Sequence, residues 1–222
     1  MIYAYHEMYL TKAQALLGEA FDYAVNTCGI PGEDFRKMFC VSPMSKRIQL
    51  GDPACVAGKS GIELVRDIIR EAKGQDLEVE PEERFGRSAE YWIGWAVAYY
   101  QWYSDRKFMD IFEAVPYRDL EQMYHTLHEA DITKFVEIVD ARVRAHYPET
   151  ALKRRREIYG YTQKQLAEDS GVSLRSIQMY EQRHKDINKA GVETVYRLAK
   201  TLGCTVEDLI ERSCYHERTG ED

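Results

Sequence analysis

The 222-residue chain lacks long apolar runs, and its first residues lack the pattern of a secretory leader. No run approaches the roughly 18–20 apolar residues that cross a bilayer, so we expect no membrane association. The opening MIYAYHEMYLTKAQ has no basic lead followed by an apolar core, so we predict no signal peptide. Together these absences lead us to expect a cytoplasmic protein.

Cysteine is sparse and irregularly placed, and no C-x-x-C pair occurs. The five residues are Cys28, Cys40, Cys55, Cys204 and Cys214. An odd number at wide spacings argues against a disulfide framework and against a zinc site. His125 and His128 lie three residues apart, but no second ligand pair accompanies them. We therefore predict no metal and no cofactor.

The stretch Gly51–Gly61, GDPACVAGKSG, resembles the end of the phosphate-binding loop G-x-x-x-x-G-K-[ST]. The first glycine of that loop would fall at Pro53, which has no backbone N–H to offer a phosphate. Ser60 and Glu63 instead match the S-x-x-E capping box that begins a helix. The stretch therefore predicts a helix start, with Lys59 in solvent, although a weak contact of Lys59 with an anion stays open.

Apolar residues recur at helical spacing along most of the chain, which predicts an all-α fold. The helices predicted in the first part cover residues 11–28, a short segment after Pro31, 44–50, 60–73, 88–104, 108–112, 117–127 and 132–143. Pro148 interrupts the pattern. We therefore divide the chain into an N-terminal helical domain (1–148), a second helical domain (149–211) and an acidic tail (212–222).

One predicted helix, at 88–104, carries an aromatic stripe that includes all three tryptophans. Trp92, Trp95, Tyr99 and Trp102 fall at positions i, i+3, i+7 and i+10. Such a stripe is typical of a core helix, because buried aromatic side chains contribute strongly to core stability. The density is high enough that these four residues are also our candidates for binding a protein partner.

Charge is distributed unevenly along the chain, whose net charge is −7. Residues 150–205 hold 11 Lys and Arg against six Asp and Glu, whereas the segments on both sides are net acidic. A compact basic segment in an acidic chain indicates a localised nucleic-acid interface.

That basic segment has the pattern of a helix-turn-helix. Its predicted helices cover 152–158, 162–170, 174–182, 192–202 and 206–210. Ala167, Gly171 and Ile177 are spaced as a small crossing residue, a turn glycine with positive φ and a buried apolar residue. Thr162 and Ser173 are suited to cap the second and third helices.

The segment resembles the lambda repressor-like, Cro-type (XRE) helix-turn-helix family over about residues 150–211. The matching residues are Arg156, Gln163, Leu166, Ala167, Gly171, Val172, Ser173, Ile177 and Glu181. The resemblance implies a five-helix bundle whose third helix lies in the major groove of DNA. It also implies an internal ion pair between Arg156 and Glu181, and a hydrogen bond from Gln163 to a phosphate.

The resemblance further implies which side chains face the DNA. The residues nearest the base edges would be Leu174, Arg175, Gln178 and Met179, with Ser173 and Ser176 nearer the backbone. Arginine pairs with guanine, glutamine with adenine, and apolar side chains contact the thymine methyl group. Arg183, Lys185 and Lys189 follow this helix and suit phosphate contacts. The loop that carries them, 183–191, is longer than is usual in the family.

Two classes of function follow. The first is a sequence-specific transcriptional regulator that binds double-stranded DNA as a homodimer, represses transcription, and uses the N-terminal domain to dimerise, sense or bind a partner. A narrower form is the antitoxin of a toxin–antitoxin pair. The alternative is an enzyme in residues 1–148 with a DNA-binding tail. The Gly58-Lys59-Ser60 stretch is the only motif that supports it, so we expect no enzymatic activity. A bundle of this type can also serve only for dimerisation or protein docking.

Overall fold

A computed structural model describes residues 3–81 and 86–211, and these residues form helices and turns without strands. The all-α prediction is thereby confirmed. The chain divides into two compact units between His146 and Tyr147, two residues before the boundary that the sequence suggested. The predicted acidic tail, with Cys214, lies outside the described residues.

The described residues of the first unit form nine α-helices. They are α1 (Leu10–Asp22), α2 (Gly32–Val41), α3 (Pro43–Gln49), α4 (Pro53–Val56), α5 (Gly61–Lys73), α6 (Ala89–Ser104), α7 (Phe108–Ala114), α8 (Tyr117–Leu127) and α9 (Ile132–His146). A 3₁₀ turn, Glu7–Tyr9, precedes α1, and α1 continues into a π-helical turn, Tyr23–Thr27. Gly29, with φ of +66°, follows this turn, as glycine commonly does at the C-terminal end of a helix.

Helices α1 and α6 pack against each other at the centre of the first unit. Glycine makes their close approach possible, because a Cβ added to Gly94 would lie 2.2 Å from the carbonyl oxygen of Leu17. On α1, a Cβ added to Gly18 would lie 2.9 Å from the ring of Tyr91. Most of α6 is buried, which is why its apolar residues surround the helix instead of forming a single stripe.

Aromatic side chains fill the core around α1. The ring of Phe21 meets that of Phe35 edge-on at 5.0 Å between centroids, and it also contacts Phe39, Phe112 and Tyr117. Edge-to-face contacts of this kind are favourable beyond the apolar area that they bury. The first unit therefore has an aromatic core of its own.

The aromatic stripe of α6 is not one exposed docking surface, so the prediction of a four-residue partner site is wrong for two of its members. Trp92 is buried against Tyr124 and Phe135. Trp102 is buried as well. Its ring stacks on Tyr3 at 3.9 Å and its indole N–H donates to the carbonyl oxygen of Tyr5 at 2.9 Å.

The other two members of the stripe, Trp95 and Tyr99, are only half-buried. They lie four residues apart, and therefore one turn apart, on α6. A partner could contact these two side chains alone.

The Gly58-Lys59-Ser60 stretch begins α5, and the predicted capping box is confirmed. The Glu63 N–H donates to Ser60 Oγ at 3.3 Å, and the Ser60 N–H donates to Glu63 Oε2 at 2.8 Å. Lys59 does not lie free in solvent, because its Nζ forms an ion pair with Asp67 Oδ2 at 2.6 Å. The carboxylate of Asp67, one turn after Glu63 in α5, balances the charge of Lys59, so no phosphate is needed to explain the lysine.

The second unit contains α10 (Ala151–Ile158), α11 (Gln163–Ser170), α12 (Leu174–Glu181) and α13 (Val192–Thr201), with a 3₁₀ turn at Ile187–Lys189. The predicted fifth helix, 206–210, is a turn instead. Asp208 Oδ2 accepts hydrogen bonds from the Thr205 N–H and hydroxyl at 3.2 and 3.1 Å, which closes this turn locally. Leu209 is nevertheless fully buried, so the segment still contributes to the core.

Replacing Gly94 by alanine should destabilise the first unit. The added Cβ would meet backbone atoms of α1, which cannot move aside as a flexible side chain can. We expect a loss of about 1–3 kcal/mol in the free energy of unfolding. Urea unfolding followed by tryptophan fluorescence measures it, because all three tryptophans lie on α6.

Gly18→Ala is the matched control on the same helix pair. Its Cβ would meet only the side chain of Tyr91, so the loss should be smaller. A Gly94→Ala protein as stable as the parent, or a larger loss for Gly18→Ala, would contradict the close approach of α1 and α6.

Candidate nucleic-acid interface

A small apolar core holds the four helices of the second unit together. Its buried members come from every helix of the unit and from the closing turn: Leu152, Leu166, Val172, Ile177, Tyr180, Ile187, Val195, Leu198, Ala199, Leu202 and Leu209. Ala167 packs against this cluster from α11, where the sequence required a small residue. The positions of α11 and α12 are thus fixed by shared apolar burial.

The turn between α11 and α12 has the features that the sequence predicted. Gly171 follows α11 with φ of +66°, a conformation that is strained for residues with a Cβ. Val172 is 8% exposed and closes the core beneath the turn. Sequence reasoning missed Ser170, whose hydroxyl donates to the Leu166 carbonyl at 2.6 Å and accepts from the Val172 N–H at 3.2 Å.

Side-chain caps begin both helices of the pair. Thr162 and Gln165 form a reciprocal capping box at the start of α11. At the start of α12 the Ser176 N–H donates to Ser173 Oγ at 3.1 Å, and the Ser173 hydroxyl donates to Ser176 Oγ at 2.8 Å. Both serines, predicted to lie near the DNA backbone, therefore already take part in the cap of α12.

Arg156 of α10 and Glu181 of α12 form a bidentate ion pair. Arg156 Nε lies 2.6 Å from Glu181 Oε1 and Nη2 lies 3.0 Å from Oε2. The two side chains are 10% and 3% exposed. The carboxylate raises the pKa of the guanidinium above its ordinary value. Arg156 also donates through Nη1 to the Tyr161 carbonyl at 2.7 Å, so one side chain joins α10, the α10–α11 loop and α12.

Gln163 is half-buried and contacts this ion pair. Its Nε2 donates to Glu181 Oε2 at 2.8 Å. The amide is therefore oriented by α12. An amide nitrogen carries two donors, so the second N–H remains available to a phosphate as the resemblance implies.

The outer face of α12 presents the predicted base-contacting residues. Leu174 is 38% exposed and Arg175 is exposed, while Gln178 and Met179 are half-buried one turn further on. Arg175 makes no ion pair or hydrogen bond with any residue that the structure describes. Its guanidinium therefore has no partner among the described residues. The opposite side of α12, with Ile177 and Tyr180, is buried.

The three basic residues after α12 differ in their surroundings. Lys185 lies over the ring of Tyr180, 5.6 Å from its centroid, and Lys189 is exposed in the 3₁₀ turn. Arg183 is already engaged within the unit, because it donates to the Pro148 carbonyl at 2.7 Å and lies 3.4 Å from a Glu211 carboxylate oxygen. The predicted phosphate contact of Arg183 stays a prediction, although these two long-range partners already engage its side chain.

The cations of α10 are likewise engaged within the unit. Lys153 pairs with Glu149 at 2.5 Å and Arg155 with Asp208 at 2.9 Å. Arg154 lies over the ring of Tyr147 at 4.8 Å. The positive charge that remains without a carboxylate partner near the outer face of α12 is therefore that of Arg175, Lys185 and Lys189.

Among the described residues, no group of three His, Cys, Asp or Glu side chains could hold a metal ion. His128 Nδ1 lies 2.8 Å from the Tyr124 carbonyl oxygen in its own helix. No described helix has the length and apolar character that crossing a membrane requires.

A comparison with models of protein families matches the same segment of the chain. Residues 152–209 match the model of a helix-turn-helix family, which is of the lambda repressor-like, XRE type. Neither the curated proteins nor the solved structures gave a match to this chain. The matched segment is thus a DNA-binding helix-turn-helix domain of a transcription regulator.

Replacing Glu181 by alanine should destabilise the second unit by about 3–5 kcal/mol, because it leaves the buried Arg156 with only the more exposed Glu157 carboxylate, 3.3 Å from Nη2, as a charge partner. Hydrogen exchange of the core amides in α11 and α12 measures the free energy of unfolding of this unit. The double variant Arg156→Met, Glu181→Leu is the control, since removing both charges should cost less than removing one. Equal exchange in the parent and Glu181→Ala would contradict a stabilising ion pair.

Proposed function

We propose that the protein is a sequence-specific transcriptional repressor that binds double-stranded DNA as a homodimer in the cytoplasm and has no catalytic activity. The observation that carries the proposal is the outer face of α12, which presents Arg175 and Gln178 on a helix anchored from behind. In this proposal the first unit dimerises, senses a signal or binds a protein partner.

Base recognition follows from the chemistry of the α12 side chains. The guanidinium of Arg175 can donate two parallel hydrogen bonds to O6 and N7 of guanine. The amide of Gln178 can donate to N7 and accept from N6 of adenine. Leu174 and Met179 offer apolar contact to a thymine methyl group. The half-burial of Gln178 and Met179 restricts their rotamers, which favours a fixed pattern of contacts.

Phosphate contacts come from the flanks of the recognition helix. Lys185 and Lys189 lie after α12, and the second amide N–H of Gln163 lies at the start of α11. Each phosphate that such groups neutralise releases counterions, so the affinity falls as salt rises. The net positive charge of residues 150–205 concentrates this effect on the second unit.

A homodimer would give this small interface enough specificity for a promoter. Two copies of α12 would enter successive major grooves roughly 34–36 Å apart, on a palindromic operator. A dimer bound across a promoter prevents polymerase from occupying the same DNA, which is the simplest route to repression.

A narrower proposal is that the protein is an antitoxin whose first unit binds a toxin. Support comes from the frequent role of the resembling family and from the half-buried Trp95 and Tyr99 on α6. Aromatic side chains that remain partly exposed are common anchors of protein interfaces. The test is co-expression with the product of a neighbouring gene: that product should arrest growth alone, and the full chain should restore growth.

Selection of duplexes from a random-sequence library, followed by gel-shift titration of the full chain at several salt concentrations, tests DNA reading. A reporter driven by the protein's own upstream DNA tests repression. We expect one enriched palindromic motif, affinity that falls with salt, and lower reporter output when the protein is present. Equal affinity for all duplexes would exclude the proposed function.

Replacing Arg175 by alanine should remove the preference for guanine at one position of each half-site, at a cost of about 1–3 kcal/mol in specific binding. Gel-shift titration against the selected duplex and against single-base variants of it measures the change. Lys200→Ala, on the exposed face of α13, removes the same charge away from α12 and should leave the base preference intact. An unchanged preference in Arg175→Ala would refute the assignment of Arg175 to a base edge.

A further inference from the structure

The second residue after α12, which we propose as the recognition helix, has a backbone conformation that its side chain does not favour. Arg183 has φ of +54° and is one of two described non-glycine residues with positive φ. Glycine is the usual residue at this position after a helix, because an added Cβ is disfavoured there. A long charged side chain at such a position indicates that interactions of the side chain offset the backbone strain.

The bend at Arg183 completes the end of α12. The Arg183 N–H donates to the Tyr180 carbonyl at 3.1 Å, and the Lys185 N–H donates to the Met179 carbonyl at 3.1 Å. These bonds satisfy carbonyl groups of the last turn that would otherwise lack partners. The same bend directs the Arg183 side chain away from the loop and toward the segment before α10.

There the guanidinium meets two groups that are distant in sequence. Its Nη1 donates to the Pro148 carbonyl oxygen at 2.7 Å, and its Nη2 lies 3.4 Å from Glu211 Oε2. Pro148 belongs to the short segment, 147–150, that leads into α10. Arg183 thus ties the end of α12 to the start of the helix-turn-helix unit.

Glu211 is the second half of this arrangement. Its other carboxylate oxygen, Oε1, accepts from the Ala151 N–H at the start of α10 at 2.5 Å. Its backbone pairs with the Asn188 side chain, whose Nδ2 donates to the Glu211 carbonyl at 2.6 Å and whose Oδ1 accepts from the Glu211 N–H at 2.9 Å. One residue therefore holds the start of α10, the loop after α12 and the guanidinium of Arg183.

We propose that Arg183 and Glu211 form a clamp that positions the recognition helix for base reading, and that Arg183 is a positioning residue and not a phosphate contact. The proposal rests on the DNA-binding function proposed above. The Arg156–Glu181 pair joins α12 to the body of α10, and the clamp joins the end of α12 to the start of α10. With both in place, α12 cannot rotate about its axis without breaking a charge-assisted hydrogen bond.

Arg183→Gly and Glu211→Gln test the clamp in the full chain. Glycine accepts the positive φ of residue 183, and glutamine keeps the shape of residue 211, so both variants should fold. Each should weaken binding to the selected duplex by about tenfold, the equivalent of one charge-assisted hydrogen bond. Binding to a scrambled duplex should change much less, and the double variant should lose little beyond either single one.

The salt dependence separates positioning from direct contact. Loss of one phosphate contact would reduce the slope of log affinity against log salt by about 0.9. The clamp predicts an unchanged slope in both variants. A reduced slope in Arg183→Gly with normal binding in Glu211→Gln would overturn the proposal, as would tighter binding in Glu211→Gln. Lys189→Ala is the control that should reduce the slope.

Hydrogen exchange of the free full chain tests the clamp without DNA, so its failure can be told from failure of the proposed function. Both clamp variants should accelerate exchange of the amides in the last turn of α12, while Lys189→Ala should not. Unchanged exchange in both clamp variants would overturn the proposal even if the parent protein binds its operator.

Discussion

The buried ion pair between Arg156 and Glu181 is the interaction on which the DNA-binding unit depends. Apolar burial brings α10, α11 and α12 together, but apolar contact alone has no direction and leaves a helix free to rotate. The bidentate geometry fixes the direction, because two parallel hydrogen bonds form only at one orientation. Gln163 and the Tyr161 carbonyl complete the set, so the same group of atoms positions α12 and orients the amide of Gln163.

The first unit reaches its stability by a different route. Glycines let α1 and α6 approach until backbone nearly meets backbone, and aromatic rings fill the space around that contact. Two of the three tryptophans on α6, Trp92 and Trp102, are buried by this packing. The aromatic stripe of α6 is thus mainly part of the core, and of its four members only Trp95 and Tyr99 stay half-buried.

Charge pairing shapes the function of the second unit as much as net charge does. Residues 150–205 are basic overall, yet the cations of α10 are occupied by Glu149, Asp208, Glu181 and the ring of Tyr147. Three of the cations that remain without a carboxylate partner, Arg175, Lys185 and Lys189, lie on α12 or shortly after it. Internal pairing therefore leaves fewer unpaired cations in this segment than its net charge indicates.

The sequence by itself determined the all-α class, most helix bounds, the caps at Ser60, Thr162 and Ser173, the turn at Gly171 and the matched family segment. These features are local, since a cap or a turn is specified by residues three or four positions apart. Helix 206–210 was predicted from the same local pattern and is a turn, in which backbone N–H groups bond three residues back, Asp208 to Thr205 and Leu209 to Val206. Tertiary structure alone decided that Arg183 meets Pro148 and Glu211, that Lys59 meets Asp67, and that Trp92 and Trp102 are buried. The partners of Arg183 lie 35 and 28 residues away, and no periodicity in the sequence records which distant groups a packed fold will bring within hydrogen-bonding distance.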